Sequence, residues 1–276
     1  KPLLLLQTGE VPKDASTLVL AGPKKPIQNE EQKALKSYLE RGGAVMMLVD
    51  PKSKHGMEAF LKNWGIELGD NIVIDPMSKL FGGDFAAPVV NQYSAHDITS
   101  EFVLPTIFPI IQSVKAIPTS KIETVELLKT SANSWGESNF ESGAIKFDTD
   151  TDLKGPVSVA VVATKILRSE KAHDENEESH EQELKQPKAT LVVIGDSDFS
   201  NNRYSNFSGN GDFFLNTVSW LAEEENLISI RPKEKRNSPI HLTSSWGSAI
   251  FVLGILIFPG IVAGTGIRIW WRRRGS

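Results

Sequence analysis

The sequence contains no cysteine at all. Disulfides, thiolate metal sites and every cysteine-nucleophile mechanism are therefore excluded by inventory, while the compartment stays open. An excess of positive charge is also missing, since 30 Lys and Arg stand against 34 Asp and Glu for a formal net charge of −4. A mildly acidic chain lacks the basic footprint that phosphate-backbone binding needs, so nucleic acid is set aside as a partner. Neither the Walker pattern nor the dinucleotide pattern of glycines occurs, so this chain is not itself an ATPase and implies no nucleotide cofactor. The five histidines, His55, His96, His173, His180 and His241, show no metal-ligand spacing on a helix. Ser197 lies in GDSDF rather than in a G-x-S-x-G elbow, which weakens a hydrolase reading. The opening KPLLLL has no initiator Met, and its apolar run is too short for a signal-peptide core. The expectation is that the numbering starts inside a longer protein.

Charge is absent again from Ser248 to Ile267, SAIFVLGILIFPGIVAGTGI, a run of about 20 residues and close to what a helix needs to cross a bilayer. Trp246 on one side and Trp270 with Trp271 on the other stand where amphipathic rings favour the headgroup region. Arg268, Arg272, Arg273 and Arg274 close the segment. The expectation is one C-terminal transmembrane helix at 246–271 with the lipid bilayer as partner. By the positive-inside tendency the basic tail 272–276 lies in the cytoplasm and the rest outside. The alternative is a buried core helix. Gly260 and Gly264 form a small-xxx-small pair that would let a second helix approach, and Pro259 frees a backbone carbonyl.

What remains, residues 1–230, has 40% hydrophobic content over the whole chain behind it and reads as one globular α/β domain. Thr17–Ala21 is a short apolar strand ending in Gly22-Pro23. Asn29 can cap a helix with Gln32 reaching back, Leu35, Tyr38 and Leu39 give its apolar stripe, and Gly42-Gly43 stop it. Ala44–Val49 is a second buried strand ended by Asp50-Pro51. Strand, helix and strand make a βαβ crossover, which implies a mostly parallel, Rossmann-like sheet. Further expectations are a short helix over Met57–Trp64, a third strand over Asn71–Ile74 and loop from Met77 to Asp97. Short strands are expected at Thr106–Ile111, Val114–Ile117, Glu123–Lys129 and Val157–Val162. Residues 168–188 are almost wholly polar and read as a solvated or disordered excursion. Thr190–Gly195 is the clearest strand, and Asp212 opens a helix with Phe213, Phe214, Val218 and Leu221 on its apolar face. A linker with Pro232 and Pro239 fills 231–245.

In open α/β sheets ligands sit outside the C-terminal strand ends, so the loops after Ala21, Val49 and Gly195 converge on one candidate ligand-binding site. They bring Gly22, Asp50, Asp196, Ser197 and Asp198. Carboxylates so placed could hold Mg²⁺, or each could simply close a turn or cap the next helix.

These blocks also resemble a known family. Val11-Pro12 through Val19-Leu20-Ala21-Gly22-Pro23, Glu31 through Tyr38-Leu39 to Leu48-Val49-Asp50-Pro51, GDSDFSNNRY, GNGDFFLNTVSWLAEEE, ISIRP and the terminal WWRRR are similar to the gliding-motility-type ABC transporter auxiliary family. Residues from about Met77 to Ala189 match only loosely. The resemblance implies an extracytoplasmic (periplasmic) domain on a bacterial cell membrane, related in fold to glutamine amidotransferase-like and intraflagellar-transport-like domains. It implies a permease and a separate ATPase as partners, a further membrane helix near the N-terminus, and no catalytic residues. The function it implies is a non-enzymatic subunit that binds substrate or couples the permease to the envelope. A membrane-anchored enzyme using Asp50, Asp196 and Asp198, and a structural envelope scaffold, are the alternatives.

Overall fold

The computed structural model describes residues 1–140, 145–167, 187–222, 255 and 258–274. The chain divides into two units, Lys1–Ser229 and Ile230–Ser276. The polar excursion falls almost entirely outside the described residues, as do the linker and Trp246.

In the first unit a single helical turn, α1 (Leu5–Thr8), precedes β1 (Thr17–Ala21), α2 (Asn29–Glu40), β2 (Ala44–Leu48), α3 (Glu58–Asn63), β3 (Ile66–Leu68) and β4 (Ile72–Ile74). Then come β5 (Val89–Val90), β6 (Gln92–Tyr93), β7 (Thr106–Ile107), β8 (Val114–Ala116), β9 (Glu123–Lys129), β10 (Trp135–Glu137) and β11 (Leu153–Lys154). The long strands β12 (Ser158–Ile166) and β13 (Lys188–Ile194) and the helix α4 (Asn210–Leu221) complete the unit.

Six strands form the main sheet in the order β1-β2-β13-β12-β9-β6. Only β1 with β2 and β2 with β13 run parallel, whereas β12 lies antiparallel to both β13 and β9, and β9 to β6. The expected mostly parallel sheet is thus corrected to a mixed one. The reason is that β12, with Ser158 to Ala163 all buried, carries a near-continuous apolar run. Burial on both faces writes such a run whichever way the neighbour points.

Alternation in β2 and β13 divides the core. Val45, Met47, Leu191 and Val193 meet Leu35, Tyr38 and Leu39 of α2 and Leu61 of α3 on one face. On the other, Met46, Leu48, Val192 and Ile194 meet Phe108, Phe199, Phe213 and Leu221. Burying such side chains contributes roughly 1.5–3 kcal/mol each, which outweighs helix propensity as the reason α2 and α4 sit where they do.

Several boundaries differ from expectation. The cap of α2 is Gln28 rather than Asn29, its N–H donating to the Glu31 carboxylate at 2.9 Å, and Gln32 instead donates to the Ile27 carbonyl. Both residue pairs carry the same spacing, so the sequence alone could not choose the register. The strand at Ile72–Ile74 is buried as expected but lies outside the main sheet, in a separate antiparallel sheet β11-β10-β4. It pairs instead with β10, Trp135 opposite Ile74 and Glu137 opposite Ile72, and Asn71 ties its start to Ser113: the Asn71 Oδ1 accepts from the Ser113 N–H and its Nδ2 donates to Ser113 Oγ, both at 3.0 Å. The stretch from Met77 carries a 3₁₀ turn (Pro76–Phe81) capped by Asp75, then β5 and β6. The strand expected over Thr106–Ile111 ends at Ile107, and Ile110 sits at φ +63°. Helix α4 opens at Asn210, two residues before Asp212.

In the second unit the described helix α5 runs from Phe258 to Arg274. Among the described residues no helix is long and apolar enough to cross a membrane. The expected 246–271 helix is corrected to that extent: its first half lies mostly outside the described residues. The 17 residues of α5 take in all four terminal arginines, which shortens the apolar stretch. An added Cβ on Gly260 or Gly264 would meet nothing within 4 Å.

Candidate functional site

The loop after β1, the loop after β2 and the loop after β13 all leave the sheet at the same end, the C-terminal end of the strands, because these three strands are the parallel ones. In-register pairing puts Ala21 beside Leu48 and Leu48 beside Ile194, so the residues that follow are forced into one neighbourhood. Gly22, Asp50, Asp196, Ser197 and Asp198 are brought together there.

Gly22 turns the chain at φ +56°, and a Cβ added to it would lie 2.6 Å from Ser197 Oγ and 3.1 Å from Asp50 Oδ2. Glycine is required on both counts, since the left-handed region and the close approach each exclude a side chain. Asp50 Oδ1 accepts the Ser197 N–H at 2.8 Å, which ties the β2 loop to the β13 loop. Asp196 is buried, 1% exposed, and its two oxygens accept the N–H groups of Asp198 at 2.8 Å and Phe199 at 3.1 Å. Asp198 is exposed and accepts from Asn201 Nδ2 at 3.0 Å.

The electrostatics single out Asp196. Burial pushes its carboxyl up from 3.8 to about 8, the negative charges of Asp50 and Asp198 add to the rise, and the two backbone N–H donors oppose it. Among the described residues no group of three or more His, Asp or Glu side chains is arranged to hold a metal ion. His55 and His96 are held below the usual histidine range, first by burial, with Glu58 and Asp97 respectively opposing. His55 Nδ1 accepts the Met57 N–H, so it serves the turn ahead of α3. His173, His180 and His241 lie outside the described residues.

Two residues that sequence reasoning did not single out frame the crevice. Gln112 Nε2 donates to the Val49 carbonyl at 2.9 Å, and its backbone N–H donates to the Gly195 carbonyl at 3.0 Å. Asn210 is fully buried, its Nδ2 donating to the carbonyls of Ile107 at 2.8 Å and Phe199 at 3.2 Å, while its Oδ1 accepts the Ile107 N–H at 2.8 Å. Nothing in their local pattern announces these roles, since partners 63 and 103 residues away in the chain become neighbours only in the fold. Replacing Asn210 with alanine leaves a buried N–H and two carbonyls without that partner. We expect a loss of about 2 kcal/mol of stability in thermal unfolding.

A separate groove of about 380 Å³ lies at the open edge of the sheet, between the N-terminal turn, β1 and α2. Leu5, Leu18, Leu20, Ile27 and Leu35 line it, and it contains none of the strand-end carboxylates.

A family model described as an ABC-type uncharacterized transport system, auxiliary component, matches residues 1–217. That range takes in the whole main sheet and the strand-end crevice. No curated protein matches. Among solved structures, the chain is similar to one described as the mmIFT52 N-terminal domain, with a TM-score of 0.53 at 15% identity over 76% of this chain and 78% of that one. At that identity the likeness is one of fold.

Proposed function

Because the chain belongs to the auxiliary-component family of ABC-type transport systems, we propose that it is a membrane-anchored, non-enzymatic subunit working beside a permease and a separate ATPase. The single observation that carries this reading is the match over residues 1–217, which coincides with the α/β unit. The family names an auxiliary component of such a system, and the absence of a phosphate-cradling loop from these 276 residues supports an ATPase on another polypeptide. The finer assignment to the gliding-motility branch and to an extracytoplasmic position rests on the sequence blocks and on the arginines after the apolar run.

The strand-end crevice supports a docking or coupling role over catalysis. The buried Asp196, the group with the raised pKa, has both oxygens engaged by the backbone N–H groups of Asp198 and Phe199, and Asp50 holds the Ser197 N–H, so these two side chains serve the loops. One observation favours a second reading, an anchored enzyme: the raised pKa of Asp196, of the kind that acids at functional sites show. The two are separated by experiment. Gentle detergent extraction and capture of the full chain is expected to bring down a P-loop ATPase and a polytopic permease. Recovery of the chain alone counts against the subunit reading. Retained transport in cells carrying D50N, D196N and D198N together would remove the enzyme.

A further inference from the structure

Helix α5 has an unusual distribution of charge for a surface helix. All the described side chains from Ala263 to Arg274 are exposed, and the apolar residues Ile267, Ile269, Trp270 and Trp271 are not gathered on one face. At roughly 100° per residue, and taking Trp270 as zero, Arg268, Arg272, Arg273 and Arg274 project at roughly 160°, 200°, 300° and 40°, with no gap wider than roughly 120°. A helix that lies flat on a bilayer needs its cations on one side and its apolar groups on the other. This arrangement is instead a collar.

Along the axis the four arginines span about 9 Å at 1.5 Å per residue, comparable to the depth of one headgroup layer. The Arg274 guanidinium lies 4.5 Å from the centre of the Trp270 ring, a stacking that holds its planar fork beside an interfacial aromatic. No acidic residue occurs from Phe258 to the chain end to neutralise the collar. Guanidinium forks surrounding a helix end at headgroup depth match phosphodiester groups in geometry and sign.

We propose that the collar formed by Arg268, Arg272, Arg273 and Arg274 selects anionic phospholipid around the end of α5. This rests on the membrane reading given above and names the lipid class it would recognise. Each arginine near a charged surface contributes a factor of about five, so the preference over a zwitterionic lipid should be large and salt-sensitive.

The test is quenching of tryptophan fluorescence in the full chain reconstituted in phosphatidylcholine vesicles. Brominated phosphatidylglycerol and brominated phosphatidylcholine serve as alternative quenchers. A W270F/W271F variant gives the signal of the other four tryptophans, Trp64, Trp135, Trp220 and Trp246, to be subtracted. Brominated phosphatidylglycerol is expected to show a relative association constant higher by about tenfold or more. That preference should fall toward unity in R272Q/R273Q/R274Q and in high salt, and should be reduced but not lost in R272K/R273K/R274K, which keeps the charge without the planar fork. Equal quenching by both lipids would overturn the selectivity while leaving insertion intact. No quenching by either would overturn the membrane reading itself. Abolition of the preference by millimolar inorganic phosphate would show a phosphate site indifferent to lipid, and would likewise sink the proposal.

Discussion

Replacing Gly195 with alanine is expected to destabilise the first unit by about 3 kcal/mol or more, a fall of roughly 10 °C in the thermal midpoint for a domain of this size. Gly195 is the residue that follows β13, at the point where the strand hands over to the Asp196 loop. A Cβ placed on it would lie 2.2 Å from the Gln112 carbonyl oxygen and 3.1 Å from the Gln112 carbonyl carbon. Flexible side chains can step aside from such a clash, but this neighbour is backbone. The Gly195 N–H donates to the Val159 carbonyl at 3.1 Å, and its carbonyl accepts the Gln112 N–H at 3.0 Å, so moving either strand apart gives up buried hydrogen bonds. The side chain of Gln112 would lose its hold on Val49 in the same displacement. A Gly195→Ala protein with unchanged unfolding would mean that residues 110–112 are far more yielding than these bonds allow.

The same residue shows what the sequence could reveal and what it could not. The βαβ unit was legible because β1, α2 and β2 follow one another, and each declares itself by periodicity and by the turn that ends it. From those alone, with the strand after Lys188, the meeting of Gly22, Asp50 and Asp196 to Asp198 followed as geometry, since parallel strands in register must deliver their loops to the same C-terminal end of the strands. Strand direction beyond that unit was not legible. β12 and β13 are apolar on both faces, and that pattern says nothing of polarity. Long-range polar ties were equally silent: Asn71 with Ser113, Asp75 with Ser131 and Asn210 with Ile107 join segments by single side chains with no repeating signal. The segment between β7 and β8 is held at the strand ends by Gln112, whose N–H and Nε2 donate to the Gly195 and Val49 carbonyls.

Asp196 should give the largest effect of pH on stability. Its carboxyl is raised to about 8 in the folded chain, against 3.8 when solvated. Below about pH 4 both states hold the proton and the residue costs nothing. Between about 4 and 8 the unfolded chain releases its proton while the folded chain keeps it, so the folded state binds more protons and stability falls as pH rises. Above 8 both are ionised, the slope vanishes and the full penalty remains, on the order of 5 kcal/mol for a shift of about four units. The D196N variant has no proton to lose. Its amide accepts fewer of the Asp198 and Phe199 N–H bonds, an offset of about 1–3 kcal/mol that is independent of pH. The difference between D196N and the unaltered chain should therefore move in favour of the variant across that window. His55 and His96, held below the ordinary histidine range, destabilise the folded state as pH falls through the unfolded value near 6.5, but they do so equally in both proteins and cancel in the difference. Parallel curves from pH 4 to 9 would show that the two backbone N–H donors keep Asp196 ionised throughout. The buried carboxyl would then be a charged staple for the turn after β13, with no bearing on proton chemistry.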